Sequence, residues 1–383
     1  MNSYSSNNRF YGLDALRAIA MLMGIVLHSA LPYVSFNIPD WPAEKSSSEP
    51  ITIIFQFIHL WRMPLFFILS GFFSNLLITR NDLSYWWKNR ILRVLFPLII
   101  FSPLMMATLP WIWIFGYTRT FDFVLSSEGY PYHLWFLWHL VIFLVISVIL
   151  KLYSLIFIKI LVAIKLNILI KISSNINNYV LKFLFYSKIP ILFILFISFL
   201  SLGESGTELV TNPLLSGMYF IFGYQIYNFY NLQNLVKYWK YYFLISIFSF
   251  ILHTLIDTGI FNFDFEAQPI YWIPFILIKN LNSVFFSLFL IGFFELKFSH
   301  LNNQIRIFSD SAYWIYLIHL PIVTFITFFM FRYNIPIELK FIISILFSSI
   351  ISYLSYKYLV RPTYLGLLLN GKKQKFNWKI FDD

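Results

Sequence analysis

Long apolar stretches recur along almost the whole chain, and most are close to the roughly 20 residues that an α-helix needs to cross about 30 Å of hydrocarbon. They run over Tyr11 to Val34, Ile51 to Ile78, Trp87 to Phe115, His133 to Leu150, Ile189 to Leu202, Leu214 to Tyr230, Tyr241 to Ile260, Ile270 to Phe294, Ala312 to Phe331 and Ile337 to Val360. Only 12% of the residues are charged, about half of what a soluble domain carries. Too few charged side chains remain to cover a water-facing exterior, so lipid is the expected surroundings. The pattern predicts an all-α, polytopic membrane helix bundle of about ten transmembrane helices.

The same composition excludes disorder and a disulfide scaffold, and the absence of Cys removes thiolate metal sites and a cysteine nucleophile. The net charge of +11 would suit nucleic acid only on a soluble basic face, so no nucleic-acid partner is expected and the charge is read as a topology signal. With a cytoplasmic N-terminus, the inner loops hold Arg80, Lys88, Arg90, Arg93, Lys237, Lys240, Lys297 and Arg306, while Asp40, Glu44, Asp122, Glu128 and Glu204 fall outside. The stretch from Lys151 to Lys171 is apolar but interrupted by lysines. Counting it as a span would invert everything after it, so it is expected as an amphipathic helix on the inner surface. Both termini are then cytoplasmic. Met1 to Arg9 does not read as a cleavable signal peptide. Residues 1–365 form one membrane domain, and 366–383 a solvated basic tail.

Ionisable groups inside spans are costly in lipid and are therefore functional candidates. The first span holds Asp14, Arg17 and His28. Arg17 and His28 are eleven positions apart, almost three turns, which puts both on one helix face about 16 Å apart. A cation to hold an anionic donor and an imidazole to deprotonate an acceptor is what an enzyme moving a group across a membrane requires; an interfacial Asp–Arg anchor and a hydrogen-bonded histidine fit the pattern equally. The second span carries His59 and Arg62 one turn apart, with Pro64 and the packing pair Ser70-Gly71 beyond. No Gly-x-Ser-x-Gly elbow marks a serine nucleophile. Arg90 and Arg93 suit either positive-inside anchoring or bidentate phosphate contacts. His133 opens the fourth span among Trp111, Trp113, Tyr130, Tyr132 and Trp135, an aromatic belt or a set of sugar-stacking rings, and His139 is out of phase with it. His319 lies deep in the ninth span, while Lys279, Asn280 and Asn282 lie within the eighth. His253 and Asp257 stand at i and i+4 without further ligands nearby, so no metal is expected.

Five strings occur in order: Leu13-Asp14-Ala15-Leu16-Arg17 followed by His28; Arg62-Met63-Pro64-Leu65-Phe66-Phe67-Ile68-Leu69-Ser70-Gly71; Arg90-Ile91-Leu92-Arg93; His133-Leu134-Trp135-Phe136-Leu137; and Ile315-Tyr316-Leu317-Ile318-His319. Together they resemble the acyltransferase 3 family of multispanning membrane O-acyltransferases. Ile58 to Met63, His133 to Leu137, and Leu359-Val360-Arg361-Pro362 with Gly371-Lys372 are similar to a branch that succinylates periplasmic glucans. Arg361 stands where many O-acetylating relatives have an acidic residue.

The resemblance implies a multi-pass protein of the bacterial inner membrane that moves a succinyl or acetyl group from cytoplasmic acyl-CoA to a hydroxyl of an extracytoplasmic glycan. No cofactor is permanently bound, and the partners are the bilayer and the glycan acceptor. His28 is the implied base or acyl-carrying nucleophile, Arg17 the group that holds the thioester, and Asp14 its orienting partner. Arg90 and Arg93 are assigned to the CoA phosphates, Arg62 and His319 to the donor channel, and His133, Trp135 and His59 to the acceptor side. The rival class is a glycan or lipid transporter, but matching interrupted helices in two halves are missing.

Overall fold

In the computed structural model the described residues are 10–163, 172, 175, 179, 190–202, 208–229, 232–261, 268–300 and 303–370, and among them helices and turns account for all regular structure. The principal helices are α1 (Tyr11–Ala30), α2 (Glu49–Arg80), α3 (Leu83–Arg90), α4 (Phe96–Thr118), α5 (Trp135–Ala163), α6 (Ile191–Leu200), α7 (Pro213–Phe229), α8 (Leu232–Asp257), α9 (Trp272–Lys297), α10 (Asn303–Met330), α11 (Ile337–Ser355) and α12 (Tyr364–Asn370).

Eight helical segments are long and apolar enough to cross a membrane, so the all-α polytopic expectation holds. The fifth and sixth expected spans are shorter. α7 has 17 residues and α6 only 10, which makes α6 about 15 Å long, half of the hydrocarbon thickness. A second difference concerns Lys151 to Lys171. α5 does not stop at Leu150 but continues without a break to Ala163, for 29 residues. The stretch after Leu150 contains no Gly, Pro or capping signal that would end a helix. Lys151 and Lys159 therefore belong to the exposed last turns of a helix about 43 Å long, not to a separate surface helix. Lys165 and Lys171 lie outside the described residues, as does the tail from Gly371 to Asp383.

The chain forms two compact units, one of Met1–Arg62, Ile91–Trp135 and Phe293–Asp383, the other of Met63–Arg90 and Phe136–Gly292. In the first, α1 packs along α10, which also contacts α4 and α11, so α10 is the central element. Small residues permit close approach: a side-chain carbon on Gly12 would sit 2.6 Å from the Glu295 Cα at the end of α9. Between α3 and α4 the chain passes through a π-helical stretch, Ile91–Leu95, which carries Arg93.

In the second unit, Gly71 of α2 and Gly223 of α7 press backbone against backbone, Gly71 beside Phe220 O and Gly223 beside Ile68 O. This is the role expected for the Ser70-Gly71 pair. Buried amides tie the rest together. Asn280 of α9 accepts from Tyr219 (3.0 Å) and donates to Ser198 (3.2 Å), and Asn282 donates to Ser246 O (2.8 Å). These polar groups of the eighth span satisfy neighbouring helices, as hydrogen-bonding groups away from water must.

Gly223→Ala puts a methyl group into the Ile68 backbone. Overpacking of this kind costs about 1–3 kcal/mol. The variant is expected to insert normally and to lose thermal stability, measurable as a lower Tm of the detergent-solubilised protein.

Candidate functional site

The first unit brings four of the predicted residues into one buried cluster. His28 lies in the last turn of α1, Arg62 in the middle of α2, His133 just ahead of α5 and His319 in the middle of α10. Arg62, His133 and His319 are 7%, 8% and 2% exposed. The His28 and His319 rings are 5.2 Å apart between centroids, and those of His133 and His319 5.0 Å. Gly24, one turn before His28, explains how the arginine enters. A side-chain carbon there would lie 3.0 Å from Arg62 Nη1 and 3.3 Å from His319 Nε2. The bare backbone of α1 leaves the space in which guanidinium and imidazole meet.

Tyr316 organises the imidazoles. Its carbonyl oxygen lies 2.8 Å from His319 Nδ1, one turn along α10, and 3.0 Å from His133 Nε2. Its hydroxyl donates to His133 O at 3.0 Å, tying the start of α5 to α10. A carbonyl only accepts, so both ring nitrogens facing it carry protons, and in the neutral tautomers that remain His319 Nε2 and His133 Nδ1 are bare lone pairs. Both atoms, and His28 Nδ1, are buried without a hydrogen-bond partner among the described residues. Three such nitrogens in one cluster are more than a packed core tolerates without a use for them.

The segment after α1 closes the outer side of this cluster. Trp41 lies near-parallel to His28 at 6.1 Å and edge-on to Trp113 at 4.8 Å. Trp113 Nε1 in turn donates to Asp40 O at 2.8 Å, where Asp40 takes a left-handed turn conformation (φ 58). Two contacts latch the segment to α11: Lys340 Nζ donates to Glu44 Oε2 at 2.7 Å, and Ser48 Oγ to Glu338 Oε1 at 2.8 Å. The Lys340 and Glu44 side chains are only 6% and 13% exposed. Nearby, Arg119 sits 4.4 Å over the Phe331 ring; burial lowers its guanidinium pKa from the ordinary value, and Glu44 opposes that shift.

Other predicted residues stand elsewhere. Asp14 and Arg17 form the expected ion pair, at 3.1 Å, near the opposite end of α1. Eleven residues of helix separate Arg17 from His28, about 16 Å, as the spacing along α1 requires. Glu295, which sequence reading passed over, packs against that end of α1 with its Oε2 buried and without a hydrogen-bond partner among the described residues. His59 is exposed and stacks on Phe55 at 5.3 Å. Trp135 begins α5, half-buried. Arg93 is exposed on the π-helical stretch, and its carbonyl accepts from Tyr313 at 2.5 Å. Arg90 belongs to the second unit, where it lines a mainly apolar cleft of about 220 Å³ with Ser74, Trp86, Phe143, Ser147 and Tyr224. His139, also in that unit, bonds Ser216 at 2.8 Å, and His253 stacks on Phe275 at 4.7 Å.

A family model described as an acyltransferase domain matches residues 10–357. Relatives from Salmonella typhi and Salmonella typhimurium, each called glucans biosynthesis protein C, are 36% identical over 152 residues. That match takes in 37% of this chain and 38% of each relative. No solved structure matches.

The latch over His28 makes a prediction. Glu44→Gln strands the buried Lys340 ammonium, and breaking a buried pair from one side costs about 3–5 kcal/mol. A marked fall in Tm is expected, with most of it recovered in the Glu44→Gln, Lys340→Met double variant.

Proposed function

The chain belongs to the acyltransferase 3 family, and from that membership we propose that it is an acyl-CoA-dependent O-acyltransferase of the bacterial inner membrane. Its acceptor is a hydroxyl of an extracytoplasmic glycan, and both chain termini are cytoplasmic. The observation that carries the reading is the buried His28, Arg62 and His319 cluster over Gly24. It combines a neutral base with a fixed cation inside a bundle of apolar helices, where electrostatic stabilisation is strongest.

The reaction assigned to it is direct acyl transfer. His28 takes the proton of the acceptor hydroxyl as its oxygen attacks the thioester carbonyl. Negative charge develops on the carbonyl oxygen, and Arg62 is the cation placed to meet it. The tetrahedral adduct collapses with cleavage of the carbon–sulfur bond, and the proton held by His28 passes to the departing CoA thiolate. An ester and CoA result. Arg17 lies about 16 Å along α1 from His28, so the oxyanion is assigned to Arg62 in this reading. Arg17, fixed by Asp14, is left to hold the donor nearer the cytoplasmic end. Arg90 and Arg93 are assigned to the CoA phosphates, for which paired guanidinium groups are well suited.

The name of the matched relatives supports a glucan as acceptor. The succinyl group is favoured over acetyl by Arg361, at the position where acetylating relatives have an acidic residue. His133 and Trp135 are assigned to the acceptor side. His59, exposed on α2, is assigned to the acceptor side with them.

His28→Ala is expected to insert and fold yet transfer no labelled acyl group from acyl-CoA to envelope glycans. Full transfer by this variant would refute the assignment. Mass spectrometry of the glycans with and without the gene identifies the group added. Gly24→Ala pushes Arg62 and His319 apart. The added methyl group displaces them by only a few tenths of an ångström; since a misplacement near 1 Å costs about 100-fold in rate, kcat should fall by about tenfold or less while the KM for acyl-CoA changes little.

A further inference from the structure

The family reading gives His28 a proton to remove but leaves open what holds its ring in the tautomer that can remove it. For His28 to present a bare Nε2 to the acceptor hydroxyl, its proton must sit on Nδ1, and Nδ1 is buried without a partner among the described residues. An N–H buried in that state needs an acceptor. The other unsatisfied atoms of the cluster include one of the right kind: His319 Nε2, left bare because the Tyr316 carbonyl takes the proton on Nδ1.

We infer that His319 is the positioning residue for His28, accepting the His28 Nδ1–H on its own Nε2. The chain of bonds runs from the acceptor hydroxyl to His28 Nε2, from His28 Nδ1–H to His319 Nε2, and from His319 Nδ1–H to the Tyr316 carbonyl. This inference rests on the function proposed above and gives His319 a different task from lining the donor channel.

The geometry fits the pairing. A straight N–H···N bond between two imidazoles sets their centroids about 5 Å apart, and the two rings stand at 5.2 Å with their planes tilted by 47°. The two nitrogens are not hydrogen-bonded to each other here, so the pairing requires the His28 ring to turn while His319 stays on the Tyr316 carbonyl. Catalytic hydrogen bonds are commonly long or misaligned before substrate binds. His133 supports the pair from the other side: it shares the Tyr316 carbonyl, receives the Tyr316 hydroxyl on its own carbonyl, and packs edge-on to His319.

The step balances without a further reactant. One proton moves from the acceptor hydroxyl to His28 Nε2 as the carbon–oxygen bond forms, and the same proton leaves with the CoA thiolate as the carbon–sulfur bond breaks. His319 keeps its single proton on Nδ1 throughout. Arg62, whose Nη1 lies over the same face of Gly24 as His319 Nε2, disfavours a second positive charge on His319. The proton therefore stays on His28, from which it can leave.

Three variants of the full chain in nanodiscs test the pairing. His319→Phe removes the acceptor. It should lower kcat by about 100-fold or more, the range of general-base contributions, with the KM for acyl-CoA held within about twofold. His319→Gln offers an amide N–H to the Tyr316 carbonyl and an amide oxygen to His28, so it should regain at least about tenfold of that loss. His28→Ala sets the floor. Nitrogen-15 NMR of histidine-labelled protein supplies a readout that packing alone would not move. Wild-type His28 and His319 should both be Nδ1–H tautomers, and His28 should shift towards Nε2–H in His319→Phe but not in His319→Gln.

An increase in KM for His319→Phe with kcat preserved would return the residue to donor binding and overturn the inference. So would a His28 tautomer indifferent to both substitutions. If the wild-type protein transfers nothing from acyl-CoA, the proposed function falls and the NMR comparison alone decides the pairing. A shift of His28 upholds it and an unchanged tautomer ends it.

Discussion

Lipid offers no hydrogen bonds, so every polar group within the membrane-spanning helices must find its partner in the protein. That constraint separates the structural polar residues from the functional ones. In the second unit amides, hydroxyls and His139 bond one another across α5 to α9, although Asn282 Oδ1 and Ser74 Oγ are buried without a hydrogen-bond partner among the described residues. In the first unit it is met only in part. The Tyr316 carbonyl takes two imidazole protons and thereby leaves two lone pairs on the far sides of the same rings. One backbone group thus fixes the tautomers of two side chains that could not be assigned from their positions in the chain.

The outer closure depends on the same physics in charged form. Lys340 and Glu44 are both removed from water, and each is tolerable only because the other is there. Such a pair adds little to net stability compared with two apolar residues, but it is directional: it holds the segment carrying Trp41 in one place over His28. The neighbouring Ser48 to Glu338 bond repeats the arrangement one loop residue before α2.

Much of the architecture was legible in the sequence because hydrocarbon imposes a length and a polarity that few other environments share. Helix type and most span positions follow from that. The fifth span is the shortest apolar run in the sequence, and its helix α6 has only 10 residues. The feature misjudged is the stretch from Lys151, which sits on a helix that nothing in its local sequence breaks. For the site, spacing along one helix found the Asp14, Arg17 and His28 face and the distance of about 16 Å between its two ends. Helical phase says which residues share a face and is silent about what other helices bring to each level of it. Arg62, His133 and His319 come from three distant strings, and only folding shows that they share the level of His28. Gly24 carried a readable signal, a glycine one turn from a candidate base on the same face, which marks a place where something else must fit.

A histidine as the orienting group also has a physical logic in this setting. Soluble enzymes that rely on an imidazole base commonly hold its far nitrogen with a carboxylate, whose charge stabilises the imidazolium that forms. A carboxylate at the level of His28 would lie among apolar helices beside Arg62, and it would either pair with that arginine or demand heavy desolvation. Pairing would neutralise the cation that the oxyanion needs. A neutral imidazole anchored on a backbone carbonyl avoids both outcomes: it accepts the hydrogen bond, adds no charge, and leaves the Arg62 field directed at the developing negative oxygen. In the proposed reaction the weaker stabilisation of the His28 imidazolium is then an advantage, because there the proton leaves again with the departing group. On this account the clustering of His28, His319 and Arg62 around an empty glycine face is the form that base catalysis takes when water and spare charge are both scarce.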